Sequence, residues 1–215
     1  KKRKMNLKKI RNQILRDAKP HIIKYGWNEN LFINMLHDSN FTIEEMNVLF
    51  PKGYTTLIAM YLKEINSKMT VESQKINLIR LRIHERIREI FILRLKIMSK
   101  EKKLISKTFF YLLLPQNYKL ALKNLYKAVD QMWFLAGDNS TNFNFYSKRA
   151  ILASIYTSVM MHFINNDSID ETIILLNKQL KRVSKIPQIK SRINDITKII
   201  PQIFKFGKDI NVLKQ

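Results

Sequence analysis

Residues 129–156 read VDQMWFLAGDNSTNFNFYSKRAILASIY. An aromatic-rich helix end, Met132-Trp133-Phe134, runs into the polar turn Gly137-Asp138-Asn139-Ser140-Thr141-Asn142, and an almost wholly apolar helix follows. Solvated surfaces do not need large aromatics on both flanks of one turn, so the segment reads as a pocket wall and a partner-docking corner. The stretch from Ala150 to Ile164 holds 15 residues without a formal charge. That is shorter than the roughly 18 to 20 residues a spanning helix requires, and it suits a core helix expected to be buried on all sides.

Outward from this segment the chain keeps a helical character. Only 4 Gly and 5 Pro interrupt 215 residues, and 46% of the sequence is apolar, enough to bury a core. Apolar spacing of three and four predicts helices over 7–25, 29–38, 43–50, 54–68, 75–98, 103–114, 117–136, 143–164, 169–185 and 188–206. In the fifth, Ile76, Ile79, Ile83, Ile87, Ile90 and Leu93 form the stripe. In the seventh, Leu122, Leu125, Val129, Met132 and Trp133 form the inner face. Thr42 with Glu45, and Ser168 with Glu171, have the spacing of capping boxes.

The order suggests three parts: a helix-turn-helix-like head over 1–53, a helical body over 54–186 and an amphipathic segment over 187–215. A DNA-reading head on a ligand-binding helical body resembles the TetR regulators. The third helix argues against reading DNA. Glu44 and Glu45 occupy its first turn, where phosphates would approach, and it carries no Arg, Lys, Gln or Ser to touch a base. The head is therefore expected to be vestigial, with no specific nucleic-acid partner.

Net charge is +22, from 39 basic and 17 acidic residues. Lys, Ile and Asn are abundant, as AT-rich coding produces, so the position of the charge says more than its sum. From Lys178 to Lys208 there are nine Lys or Arg against the single acid Asp195. An Ile stripe runs through the same segment. Ile189, Ile193, Ile196, Ile200, Ile203 and Phe204, with Lys190 and Arg192, are the candidate membrane-binding residues. A basic amphipathic helix of this kind suits an anionic bilayer surface.

Catalytic patterns are missing from the sequence. There is no Cys for a thiolate site or nucleophile, and His21, His37, His84 and His162 show no metal-pair spacing. Four dispersed Gly build no phosphate loop. No catalytic residue, metal or cofactor is assigned; an enzyme with a site assembled from distant residues stays open as another class.

The pieces V-D-x-M-W (129–133), A-G-D-x-S-T-x-F-N (136–144) and Y-[ST]-[KR]-R-A-x-L-A-x-I-Y (146–156) resemble the coenzyme Q accessory proteins that bind ubiquinone intermediates on a TetR-like scaffold. Tyr25-Gly26-Trp27, Phe50-Pro51-x-Gly53 and Leu114-Pro115 support the match. The resemblance implies an all-α bundle of nine to ten helices and a noncatalytic, homodimeric lipid-binding protein. In this picture it holds a polyprenyl quinone intermediate and presents it to the di-iron demethoxyubiquinone hydroxylase. It implies a peripheral position on the inner membrane, bacterial or on the matrix side of the mitochondrion. The docking residues it implies are Asp130, Met132, Phe145 and Tyr146; Phe145 stands where the family commonly has Trp. The candidate lipid-binding residues are Met132, Trp133, Phe134, Ser154, Ser158 and Met161. The alternative is a TetR-like regulator with a hydrophobic ligand.

Overall fold

The computed structural model describes residues 2–184. These are all-α: nine α-helices and one short 3-10 turn, with no strand among the described residues. The order is α1 (Lys2–Tyr25), α2 (Leu31–Met35), α3 (Ile43–Leu49), α4 (Tyr54–Ser73), α5 (Ile83–Ser99), α6 (Lys102–Leu113), the 3-10 turn Pro115–Asn117, α7 (Tyr118–Leu135), α8 (Asn142–Asn165) and α9 (Ile169–Ser184). Two compact units divide the chain, residues 1–176 and 177–215. The amphipathic segment over 187–215, with its eight candidate membrane residues, lies outside the described residues.

The head is built as a small three-helix unit. Ile14, Leu15, Ala18 and Ile22 put one face of α1 into the core, beside Leu31, Phe32 and Met35 of α2 and Met46 of α3. Gly26, at φ +78°, ends α1 in the left-handed conformation that costs Gly nothing. Thr42 and Glu45 form the expected capping box: the Glu45 N–H donates to Thr42 Oγ1 at 3.3 Å, and the Thr42 N–H donates to Glu45 Oε2 at 3.0 Å. Glu44 and Glu45 are both exposed on that turn.

Head and body are joined by polar links. Lys19 on α1 bridges Glu101 at 2.7 Å and Glu64 of α4 at 3.3 Å. The Trp27 indole N–H donates to Thr108 Oγ1 on α6 at 3.0 Å, in a buried bond.

α1 starts at Lys2, ahead of the expected 7, and α2 covers only Leu31–Met35 of the expected 29–38. Three further sequence expectations are corrected. First, α4 continues to Ser73 instead of ending near 68. Its last turns are polar in composition, but Met69 is buried, and the hydroxyls of Thr70 and Ser73 donate back to helix carbonyls. Second, α5 begins at Ile83, and Ile79 is exposed. The Arg82 N–H donates to Glu85 Oε2 at 2.7 Å, which fixes the start there. The segment before it wraps around Arg86, whose guanidinium donates to the carbonyls of Leu81 at 2.8 Å and Ile79 at 3.2 Å. Third, Leu122 does not lie on the inner face of α7 but is 56% exposed. The inner stripe is Ala128, Val129 and Met132.

Arg94 of α5 is buried in the body, and among the described residues its partners are neutral. Its Nη1 donates to Asn66 Oδ1 on α4 at 2.7 Å, and its Nε donates to the Tyr156 hydroxyl on α8 at 3.0 Å. Three helices are thus tied by one cation and two neutral acceptors.

Candidate functional site

The corner between α7 and α8 is held by a cluster of ionic and hydrogen bonds. α7 ends in two crossing backbone bonds: Gly137 N–H to Phe134 O and Asp138 N–H to Trp133 O, each 3.0 Å. Gly137, at φ +78°, supplies the left-handed residue this ending needs. Arg86 Nη1 donates to the neighbouring Ala136 carbonyl at 3.2 Å and so links the loop before α5 to the end of α7.

Asp138 is the centre of the turn. Its side chain is almost wholly buried and accepts from Ser140 Oγ at 2.6 Å, Lys148 Nζ at 2.8 Å and Arg149 Nη1 at 3.3 Å. Burial alone would push the carboxyl up, but the bonds from Lys148 and Ser140 outweigh it and hold Asp138 below the ordinary carboxylate range.

Arg149 joins the other side. Its Nε donates to Asp130 Oδ1 on α7 at 2.7 Å, and its Nη1 also donates to the Phe145 carbonyl at 3.1 Å. The guanidinium lies 3.3 Å from the centroid of the Phe145 ring. A half-exposed acid, a buried acid and an aromatic face therefore share one arginine. Trp133 completes the cluster: its indole N–H donates to the Lys148 carbonyl at 3.2 Å, and the Lys148 ammonium sits over its ring at 5.4 Å.

This geometry gives the A-G-D-x-S-T spacing a structural reason. Gly turns the chain, Asp caps the turn, Ser completes the cap, and Lys-Arg about two helical turns into α8 closes it. Asp138, Ser140, Lys148 and Arg149 stand in the motif, but the sequence alone gives them no role. The signal was the pairing of one acid in a turn with two adjacent cations ten and eleven residues later.

The candidate docking residues fall in different places. Tyr146 is 46% exposed, and Phe145 meets it edge-on at 5.2 Å between ring centroids. Asp130 keeps part of its carboxylate at the surface while paired to Arg149. Met132 has no exposed surface at all, so it supports the corner from inside and offers no contact to a partner.

The lipid candidates do not ring one space. Met132 is core, Trp133 is half-buried under Lys148, and Phe134 is 71% exposed. Ser154, Ser158 and Met161 lie along one outer face of α8, with Ala150, Ile151 and Thr157 exposed beside them. The expected burial of residues 150–164 on all sides is thereby corrected. Leu152, Ile155, Val159, Met160 and Phe163 fill the core, while the other face is open. An apolar helix with so small a polar side leaves hydrophobic surface uncovered wherever only one face is packed. An open groove of about 500 Å³ does occur in the head, lined by Lys9, Ile10, Asn12, Gln13, Arg16 and Phe41. None of the six lipid candidates borders it. His162 is bonded through Nδ1 to the buried Thr172 hydroxyl at 3.0 Å. Among the described residues no three His, Asp or Glu side chains come together as a metal cage.

The clasped corner lies inside the part of the chain that matches known proteins: residues 118–187 fit the family model described as COQ9. Over these residues the chain is similar to the COQ9 family. "Ubiquinone biosynthesis protein COQ9, mitochondrial" of Rattus norvegicus is 48% identical over 59 residues, 27% of this chain and 19% of that protein. The Homo sapiens COQ9 protein is 27% identical over 168 residues, covering 75% of this chain and 52% of its own length. "Probable ubiquinone biosynthesis protein coq9, mitochondrial" of Dictyostelium discoideum is 21% identical over 169 residues, 76% of this chain and 55% of that protein. Even in the longer alignments, the chain spans about half the length of the COQ9 relatives it matches. No helix among the described residues is long and apolar enough to cross a membrane.

Proposed function

We propose that this protein is a noncatalytic accessory factor of ubiquinone synthesis, which carries a polyprenyl quinone intermediate at a membrane surface and presents it to a di-iron hydroxylase. The observation that carries the reading is the match of residues 118–187 to COQ9, with the clasped corner inside it. The corner supports a docking role because Tyr146 and part of Asp130 are presented on a scaffold fixed by Arg149, Asp138 and Trp133. Rigid presentation of an aromatic beside a paired acid suits a hot spot for a protein partner.

The isoprenoid tail lies, in this proposal, along the outer face of α8, where Ile151 and Met161 are exposed on either side of Ser154 and Ser158. Small side chains allow close approach, and Met adapts to irregular tails. A tail in water is costly, so the face needs a cover. A second copy pairing through residues 143–185 would supply it, which makes the working unit a homodimer. Attachment to the inner membrane, through an anionic surface and residues 187–215, belongs to the same proposal. The reading as a TetR-like regulator has less support, because Glu44 and Glu45 stand exposed on the helix that would meet phosphates.

Native mass spectrometry of the purified protein tests the lipid part: a polyprenyl lipid bound to the dimer is expected. A lipid-free monomer would remove both the cargo and the pairing. Pull-down with the hydroxylase tests the docking part. Tyr146→Lys is expected to abolish capture while the circular dichroism spectrum stays unchanged; undiminished capture would move the docking site elsewhere.

A further inference from the structure

The hairpin corner made by α6, the 3-10 turn and α7 carries a surface not used by the reading above. On α7 three dipeptides recur every four residues: Tyr118-Lys119, Leu122-Lys123 and Tyr126-Lys127. All six side chains are exposed, Tyr118 and Leu122 each to 56%. Just before them Phe110, Leu113 and Leu114 are also exposed, at the end of α6. The inward side of α6 is occupied by Leu104, Ile105 and Thr108, and Tyr111 is held to Tyr54 through their hydroxyls at 3.2 Å. Phe110 and Leu113 are therefore outward by the phase of the helix and not through fraying. The corner itself is braced by Asn117, whose amide donates to the Tyr111 carbonyl at 2.8 Å.

The charge on this face has one sign. From Lys102 to Val129 the sequence contains six Lys and no Asp or Glu. Lys103, Lys107, Lys119, Lys123 and Lys127 are exposed. A purely solvated face would not carry a Tyr or Leu beside each Lys. A protein-binding hot spot usually excludes Lys, which is depleted at interface cores. Apolar and tyrosyl side chains next to lysines that reach outward on long stems match the boundary between headgroups and acyl chains.

We propose that the outer face of the α6–α7 corner is a bilayer contact in its own right, seating Tyr118, Leu122 and Phe110 among the headgroups of an anionic membrane while the flanking lysines meet lipid phosphates. The occupant is a lipid surface, chosen by charge complementarity and by exposed apolar area on the same helix face. The contact lies within residues 102–129, so it is separate from the terminal segment over 187–215, and it does not depend on which lipid the protein carries.

The chain has no cysteine, so a single probe can be placed cleanly. Full-length Leu122→Cys carrying an environment-sensitive nitrobenzoxadiazole label is mixed with vesicles of phosphatidylcholine containing phosphatidylglycerol. The expected result is a blue shift and a rise in emission, absent with phosphatidylcholine alone. The same label at exposed Val48→Cys in the head should not respond. In the unlabelled full chain, Leu122→Glu should weaken co-sedimentation with the anionic vesicles roughly tenfold, since a Leu seated in the bilayer is replaced by a charge repelled from its surface. A water-like emission at position 122 on vesicles that do sediment the protein would overturn the proposal. So would a Leu122→Glu variant that keeps vesicle binding but loses capture of the hydroxylase, because the face would then belong to a protein partner. Either outcome leaves the lipid-cargo measurement by mass spectrometry untouched.

Discussion

A Cβ on Gly137 would stand 3.1 Å from Nη1 of Arg86. The two residues are 51 positions apart, yet Arg86 approaches this closely because it donates to the Ala136 carbonyl next door. Gly137 is therefore fixed twice, by its positive φ and by the guanidinium beside it.

Gly137→Ala should destabilise the protein by about 1–2 kcal/mol, the cost of placing a side chain in the left-handed region. The displaced Arg86 adds to this, because three carbonyls lose part of their donor. Urea unfolding followed by circular dichroism gives the value. A midpoint equal to the wild type would mean that the end of α7 relaxes without cost.

Asp138→Asn should cost about 2–3 kcal/mol at neutral pH, as charge-assisted bonds from Lys148 and Arg149 are lost in a buried site. The sign of the pH dependence follows from the depressed carboxyl. Its contribution is fully present above the unfolded-state value of about 3.9 and is lost as pH falls through the lower folded value. The stability gap between wild type and Asp138→Asn should thus stay constant from pH 8 to 5 and close only on stronger acidification. Thermal melts at several pH values measure it.

Asn66→Leu should be more damaging than a surface change on α4, by about 1–3 kcal/mol. It removes the acceptor at 2.7 Å from Arg94, a buried cation whose partners among the described residues are neutral. Adding Arg94→Met to that variant should recover much of the loss, because the orphaned charge goes with it. A double-mutant cycle of melting temperatures reads this coupling.

Phe145→Trp should keep the stacked Arg149 and strengthen it by about 0.5–1 kcal/mol, since indole is the better cation–π face. Phe145→Ala should loosen the corner and, under the proposed docking, weaken hydroxylase capture, although residue 145 itself is only partly exposed. Titrated pull-down of both variants separates the two directions.

Much of the helical order could be read from the sequence because breakers and caps are local. Gly26 and the Thr42–Glu45 box act within one turn of their own positions, and the spacing placed α3, α6, α7, α8 and α9 to within a residue or two. The errors arose where a distant residue decides. α5 starts late because Arg86 draws the preceding loop around itself, and no periodicity reports that. The face of α7 was misphased at Leu122, since an apolar residue beside Lys looks like core until its neighbours are known. α8 was expected to be covered all round because an uncharged sequence does not say how many helices surround it. Within the site, the motif was visible but its bonds were not. Asp130 on α7, Asp138 in the turn and Arg149 on α8 belong to three successive pieces of chain, and only the packed corner brings them together.

The same corner has a kinetic consequence. Tyr146 rides on a helix bolted to its predecessor through Arg149, Lys148 and the Trp133 indole. Under the docking proposed above, the hydroxylase meets the ring already placed, and little freedom remains to be lost on contact. Encounter rates should then be insensitive to trimming that ring, with the residence time of the complex shortening instead.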